Sequence, residues 1–252
     1  MFYKGLQKIK KPQNSTYGQV RFVFTGVLFC VIPATVMDEK ILSSSLIKIA
    51  QELHSLRFLA GADGNISFKI NEERIFITPS GLSKRSLKSS DLACITQKGK
   101  VLEGNPSSEL LMHLTIYEKC PKAKAVLHAH PPTSIALSLS YPEMKNLPSD
   151  SLPELLLATD GIPIVPYARP STQQMGDALL PYLPHYRSFI LSRHGALTWG
   201  ESLEEAFRGL ERIEHSAEIL YKSMILKKPS PLPEKELNAL KEMRKKSKGI
   251  NL

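Results

Sequence analysis

The chain has 252 residues, 42% of them apolar, and a formal net charge of +9; that is enough length for one large core and too ordinary a composition for a disordered or fibrous protein. The charge sits at the ends: residues 1–37 hold five basic and no acidic side chains, residues 222–252 hold nine basic and three acidic, and the body between them holds 19 and 21. A near-neutral body argues against a nucleic-acid groove, and three scattered cysteines, Cys30, Cys94 and Cys120, argue against a disulfide framework and read as reduced, buried thiols.

At the amino terminus Lys8, Lys10 and Lys11 precede an apolar run, Phe22 to Val36, broken by Thr25, Gly26, Pro33 and Thr35. Basic-then-apolar is the pattern of a secretory leader; the competing reading starts the protein at Met37, with Asp38-Glu39 opening a helix. The run is too short and interrupted for a membrane span. Residues 1–37 are therefore read as an extension, residues 38–226 as the main folded domain, and residues 227–252 as a basic tail made of a proline-containing linker and a surface helix. A cytoplasmic protein is expected, with neither membrane nor nucleic acid as partner.

In chain order, Ile41, Leu42, Leu46, Ile49, Ala50, Leu53 and Leu56 follow helical spacing. Gly61-Ala62-Asp63-Gly64 then breaks the helix and opens a strand over 65–68, paired as a hairpin with residues 74–77. A second hairpin pairs residues 93–96 with 100–102 across Lys98-Gly99. Pro106-Ser107-Ser108-Glu109 enters a helix, residues 124–127 form a buried strand, and Pro131-Pro132-Thr133 starts another helix. Further on come a short helix over 153–158, a strand over 162–165, a helix over 172–183, and strands at 189–191 and 196–199. Leu203, Phe207, Leu210, Ile213, Ala217 and Leu220 form one stripe of a long last helix. Hairpins mixed with helices imply a single α/β domain, a three-layer αβα sandwich around a mixed, mostly antiparallel sheet.

The chemistry is carried by histidines. In His128-Ala129-His130 the two imidazoles stand two apart at the end of a strand, hence on one face. With His194, in Arg193-His194-Gly195, they supply the three protein ligands of an open divalent-metal site. A single histidine on an apolar strand is usually a core residue; three in this arrangement are a metal centre. His113, four residues past Glu109 on one helix face, reads as packing or surface, and His54, His185 and His215 belong to no motif.

Gly64-Asn65-Ile66-Ser67, Thr78-Pro79-Ser80-Gly81, Pro106-Ser107-Ser108-Glu109, His128-Ala129-His130 and Arg193-His194-Gly195, in this order and spacing, resemble the class II aldolase/adducin family, whose best-known enzyme is L-fuculose-phosphate aldolase. The resemblance covers roughly residues 40–225. It implies the αβα fold, a divalent metal (usually Zn2+) on His128, His130 and His194, and a homotetramer with active sites near subunit boundaries. It also implies Glu109 as catalytic acid/base and a phosphate site on Gly64, Asn65, Ser80, Gly81, Ser107 and Ser108. Glu154, near where relatives place a substrate-facing acid/base residue, is a second catalytic candidate; the competing reading is a first-turn glutamate stabilised by its helix dipole. Hydroxyls, an amide and loop N–H groups suit a phosphate without any net positive charge.

The expected activity is metal-dependent lysis of a phosphorylated ketose, such as a ketose 1-phosphate, to dihydroxyacetone phosphate and an aldehyde. The alternatives on the same scaffold are methylthioribulose-1-phosphate dehydration, pentulose-5-phosphate 4-epimerisation and a non-catalytic adducin-like interaction module. No tyrosine follows Tyr221, so the tail aromatic that some sugar aldolases contribute is missing.

Overall fold

In the computed structural model, which describes residues 34–227 and 229–249, the first apolar stripe becomes helix α1 (Ala34–Ser55). The helix starts ahead of Asp38-Glu39, which lie inside it rather than opening it; no glycine or proline stands between Ala34 and Asp38 to stop it. The leader reading and Cys30 fall on residues outside those described. Strands β1 (Asn65–Asn71) and β2 (Arg74–Ile77) form the first hairpin, and β3 (Ala93–Ile95) and β4 (Val101–Glu103) the second. Helix α2 (Leu110–Lys119) leads into β5 (Ala125–Ala129), and α3 (Pro132–Ser140) follows at once. The remaining elements are α4 (Pro153–Ala158), β6 (Ile164–Val165), α5 (Gln173–Leu179), β7 (Ser188–Leu191), β8 (Gly195–Gly200), α6 (Leu203–Leu226) and α7 (Glu234–Gly249).

Two elements are shorter than their apolar pattern suggests, and prolines explain both. Pro163 has no N–H to give a ladder, so β6 keeps only Ile164–Val165. Pro181 cannot continue an α-helix, so α5 stops at Leu179 and the chain tightens into a 3-10 turn over Leu180–Tyr182.

The eight strands among the described residues join one sheet in the order β4-β3-β2-β1-β5-β8-β7-β6. Every pairing is antiparallel except the parallel β6–β7 pair, so the sheet is the mixed, mostly antiparallel one expected. Side chains alternate across it. Ile66, Ala125, Leu127, Ala129, Ile190 and Ala196 face a layer built from α1, α3 and α6. Val126, Phe189, Leu191, Leu197 and Trp199 face the layer of α2 and α5. The stripe on α6 is buried throughout, from Leu203 to Leu220. Each fully buried Leu or Ile there contributes about 1.5–3 kcal/mol, the main force holding that layer down. The Ser202 hydroxyl accepts the N–H of Glu205 and caps the helix start, worth about 1 kcal/mol.

The basic tail is docked rather than free. Helix α7 packs on α4, Arg244 pairs with Asp160 at 2.5 Å, and the N–H of Leu232 donates to the Asp150 carbonyl. Among the described residues no helix is long and apolar enough to cross a membrane. Cys94 and Cys120 are buried free thiols, and burial pushes the Cys120 thiol up to about 11.

Candidate active site

The site is assembled where β1, β5 and β8, neighbours in the middle of the sheet, end together. His128 lies inside β5 and pairs across the sheet with Asn65 on one side and Leu197 on the other, which leaves its ring wholly buried. His130 follows two residues later, just past the strand, and its N–H donates to the carbonyl of Phe58. His194 sits in the tight β7–β8 turn, where Arg193 adopts a positive φ of 63° and the His194 N–H donates to the carbonyl of Leu191. The three rings converge with centroids 4.8, 4.9 and 5.1 Å apart.

Two glycines make that convergence sterically possible. A Cβ on Gly195 would lie 2.8 Å from both His128 Cε1 and His130 Cδ2, and closer still to the Ala129 carbonyl. A Cβ on Gly64 would strike Leu59 and the carbonyl of His128, and its φ of 69° favours glycine in any case. Gly195 is therefore the spacer between the rings of His128 and His130, and Gly64 lets its loop lie against the backbone of β5.

The atoms facing one another identify what the site accepts. His128 Nδ1 donates to the Ala196 carbonyl at 2.9 Å, so Nε2 carries a lone pair. That lone pair points at Nε2 of His130, 3.0 Å away, and at the Glu109 carboxylate, 3.2 Å away. The other oxygen of Glu109 lies 3.4 Å from His194 Nε2, and Nδ1 of His194 is buried without a hydrogen-bond partner. Burial, then the neighbouring histidines, hold the His128 pKa well below its ordinary 6.5. His194 is lowered too, by burial first, against the raising pull of Glu109. His128 thus turns a lone pair toward both a carboxylate and a second imidazole, an arrangement that a cation standing among them would satisfy. The three histidines each offer a nitrogen within 4.8 Å of the others, while a tetrahedral zinc holds its nitrogens roughly 3.3 Å apart. The residues fit a divalent metal.

Glu109 stands at the N-cap position of α2, makes no capping bond with its side chain, and is only 9% exposed. Its carboxylate accepts a 2.8 Å hydrogen bond from the Asn65 amide, so the side chain of Asn65 serves the carboxylate instead of lying free in its loop. The loops carrying the other expected phosphate residues meet beside it. Pro79 and Pro106 form a β-bridge, the Ser80 N–H donates to the Asn105 carbonyl, and the Ser107 N–H donates to the Thr78 carbonyl. Gly81 has a φ of 74° and open space where a Cβ would be, and Ser108 is exposed, its hydroxyl 2.8 Å from that of Ser171.

Glu154 is not brought to this cluster. It is exposed and lines a surface groove with Arg208, Arg212 and His215, whose walls include none of the three histidines or Glu109. A position fixed by sequence distance from His130 lands on α4, whose Leu155 packs in the layer of α1, α3 and α6.

Several residues in the site carry no motif in the sequence. Asp63 lies 3.5 Å from His130 Nδ1. Lys84 is buried, its ammonium donating to the carbonyls of Ala62 and Leu82, which ties the Asp63 loop to the Gly81 loop; burial lowers its pKa. His113, read as packing or surface, is fully buried and hydrogen-bonded at both ring nitrogens. His185 and His215 are exposed and His54 is half-buried, all three on other surfaces.

Comparison with known proteins agrees with this geometry. The family described as Class II Aldolase and Adducin N-terminal domain matches residues 44–221. The 3-oxo-tetronate 4-phosphate decarboxylase of Escherichia coli O6:H1 is 31% identical over 185 residues, 73% of this chain and 87% of that protein. The 5-deoxy-D-ribulose 1-phosphate aldolase of Bacillus thuringiensis is 31% identical over 77% of this chain and 91% of its own length. Among solved structures, YgbL of Escherichia coli superposes with a TM-score of 0.75 at 28% identity, covering 81% of this chain and 99% of that one. Motif order, fold and similarity over most of both lengths lead to one assignment: the chain belongs to the class II aldolase and adducin family and is an enzyme of the class II aldolase type.

Proposed function

We propose that the protein is a metal-dependent lyase that cleaves a phosphorylated ketose, such as a ketose 1-phosphate, to dihydroxyacetone phosphate and an aldehyde. The observation that carries this reading is the convergence of His128 Nε2 on His130 Nε2 at 3.0 Å and on the Glu109 carboxylate at 3.2 Å, with His194 beside them. Zinc is the ion we assign to His128, His130 and His194. When bound it supplies a Lewis acid for the negative charge that develops on the substrate carbonyl oxygen as the carbon–carbon bond breaks. Ser80, Gly81, Ser107 and Ser108, with Gly64 shaping the loop, hold the phosphate and so fix which end of the ketose faces the triad, while the Asn65 amide, expected among them, is bonded to Glu109. Glu109, a carboxylate at rest, takes the hydroxyl proton of the departing carbon as that oxygen becomes the aldehyde carbonyl, and returns it to the carbon that loses its partner. The homotetramer rests on the family resemblance, and the cytoplasmic location on the reading of the cysteines as reduced thiols.

A second reading is favoured by the likeness to the decarboxylase. Loss of carbon dioxide from a 3-oxo sugar-acid 4-phosphate leaves the electron pair on the carbon next to the ketone, as retro-aldol cleavage of a ketose 1-phosphate does. Protonation of that carbon gives dihydroxyacetone phosphate either way. One assay separates the two: a panel of ketose 1-phosphates and 3-oxo sugar-acid 4-phosphates, with dihydroxyacetone phosphate, aldehyde and carbon dioxide each measured, with and without chelator. Dihydroxyacetone phosphate with equimolar aldehyde, lost on chelation, supports the aldolase. Equimolar carbon dioxide supports the decarboxylase, and product formation unaffected by chelator overturns both.

A further inference from the structure

Between β1 and α2 runs a line of polar side chains in an otherwise apolar layer. Asn65 and Ser67, two apart on the strand, face Glu109, His113 and Tyr117, four apart along the helix, and the two sets interlock. Glu109 Oε2 is 2.8 Å from Asn65 Nδ2, and Asn65 Oδ1 is 2.5 Å from His113 Nε2. His113 Nδ1 is 2.7 Å from the Ser67 hydroxyl, which is 2.7 Å from that of Tyr117. Asn65, Ser67, Glu109, His113 and Tyr117 are all buried.

The carboxylate dictates the direction of every bond in this line. A carboxylate only accepts, so the Asn65 amide nitrogen must face it and the amide oxygen must face His113. That oxygen accepts too, so His113 must carry its proton on Nε2. Nδ1 is then an acceptor, the Ser67 hydroxyl donates to it, and the Ser67 oxygen takes the proton of Tyr117. The reverse assignment puts two acceptors together at Glu109. A satisfied polar chain in a core holds one arrangement against all others, and this one ends on the carboxylate beside the metal histidines.

We propose that His113 is a positioning residue: through Asn65 it holds the Glu109 carboxylate toward the reacting carbon, with Ser67 and Tyr117 fixing its tautomer. This rests on the lyase reading for what Glu109 does, but not for the tautomer itself. Without the His113 proton the Asn65 amide is free to turn over, presenting its oxygen to Glu109 and pushing the carboxylate away.

The test has two arms on the metal-loaded protein. In the first, His113→Leu and His113→Gln are assayed with the sugar phosphate that the wild type cleaves, alongside metal content and melting temperature. His113→Leu should lose kcat by about 10-fold or more while KM and bound metal stay near wild type, since partners behind a working side chain are commonly worth 10–100-fold. His113→Gln, whose amide N–H reaches toward the same oxygen, should recover most of that loss. Wild-type kcat in a folded His113→Leu, or no recovery with Gln, overturns the proposal. In the second arm, nitrogen-15 NMR of wild-type His113 should show a neutral ring protonated on Nε2; a proton on Nδ1 overturns the proposal even if His113→Leu does not fold. A wild type inactive on every sugar phosphate would fail the lyase reading while this second arm still decides the hydrogen-bond direction.

Discussion

Gly195→Ala adds one methyl group and touches no ligand atom, yet it should cost the protein its metal. The new Cβ would stand 2.8 Å from a ring carbon of His128 and of His130, where carbon atoms prefer about 3.5–4.0 Å. Relief requires those rings to retreat by roughly 0.7 Å, while a metal site tolerates about 0.2 Å in its bond lengths. His128 cannot retreat alone, because β5 is paired on both sides. Displacement of this size should weaken metal binding by about 10–100-fold. The overpacked strand end should also destabilise the fold by about 1–3 kcal/mol, a fall in Tm of about 2–12 °C for a domain of this size. Competition against a chromogenic chelator reads the first effect and a thermal melt the second. Gly81→Ala is the control: its Cβ would meet open space, so it should pay only backbone strain and keep wild-type metal affinity. Wild-type metal affinity in Gly195→Ala would refute the reasoning that this glycine sets the spacing of the triad.

Three further outcomes follow from the same site. His130→Ala should abolish both metal retention and turnover, measured by elemental analysis and product assay. Glu109→Gln should keep most of the metal and lose turnover by about 100-fold or more; normal turnover would remove Glu109 as the proton carrier. Burial holds the His113 pKa at about 3 against 6.5 when unfolded, so between those values the unfolded chain binds the extra proton and stability falls as pH falls. In metal-free protein, wild type should lose about 2 kcal/mol more than His113→Leu between pH 7 and pH 5, read from urea unfolding at each pH; parallel losses would contradict a neutral buried ring.

The sequence already carries the triad because two of its members share three consecutive residues at a strand end, and the third precedes a glycine in a recognisable turn. The hairpins were legible for a similar reason, since alternation and Lys98-Gly99 are local signals. What the sequence does not display is the meeting of β1 with α2. Ser67 and His113 are far apart in the chain and meet only because β1 pairs with β5 and α2 crosses that face, so His113 looks like a packing residue until the sheet order is known. The spacing of Glu109, His113 and Tyr117 along one helix face, opposite Asn65 and Ser67 on one strand face, was the available signal. Glu154 lies away from the triad of its own chain for the converse reason: counting residues from His130 ignores that α3 and a long loop carry the chain onward before α4.

The three histidines are held with unequal firmness. His128 belongs to a strand bonded on both sides, whereas His130 lies beyond the strand end, 24% exposed, and His194 rides on a turn. An ion arriving from solvent meets the outermost imidazole first and the innermost last, and a chelator removes it in the opposite order. Exchange should therefore proceed in steps through partly ligated states, its rate governed by the His130 side chain and the turn holding His194 rather than by any opening of the sheet.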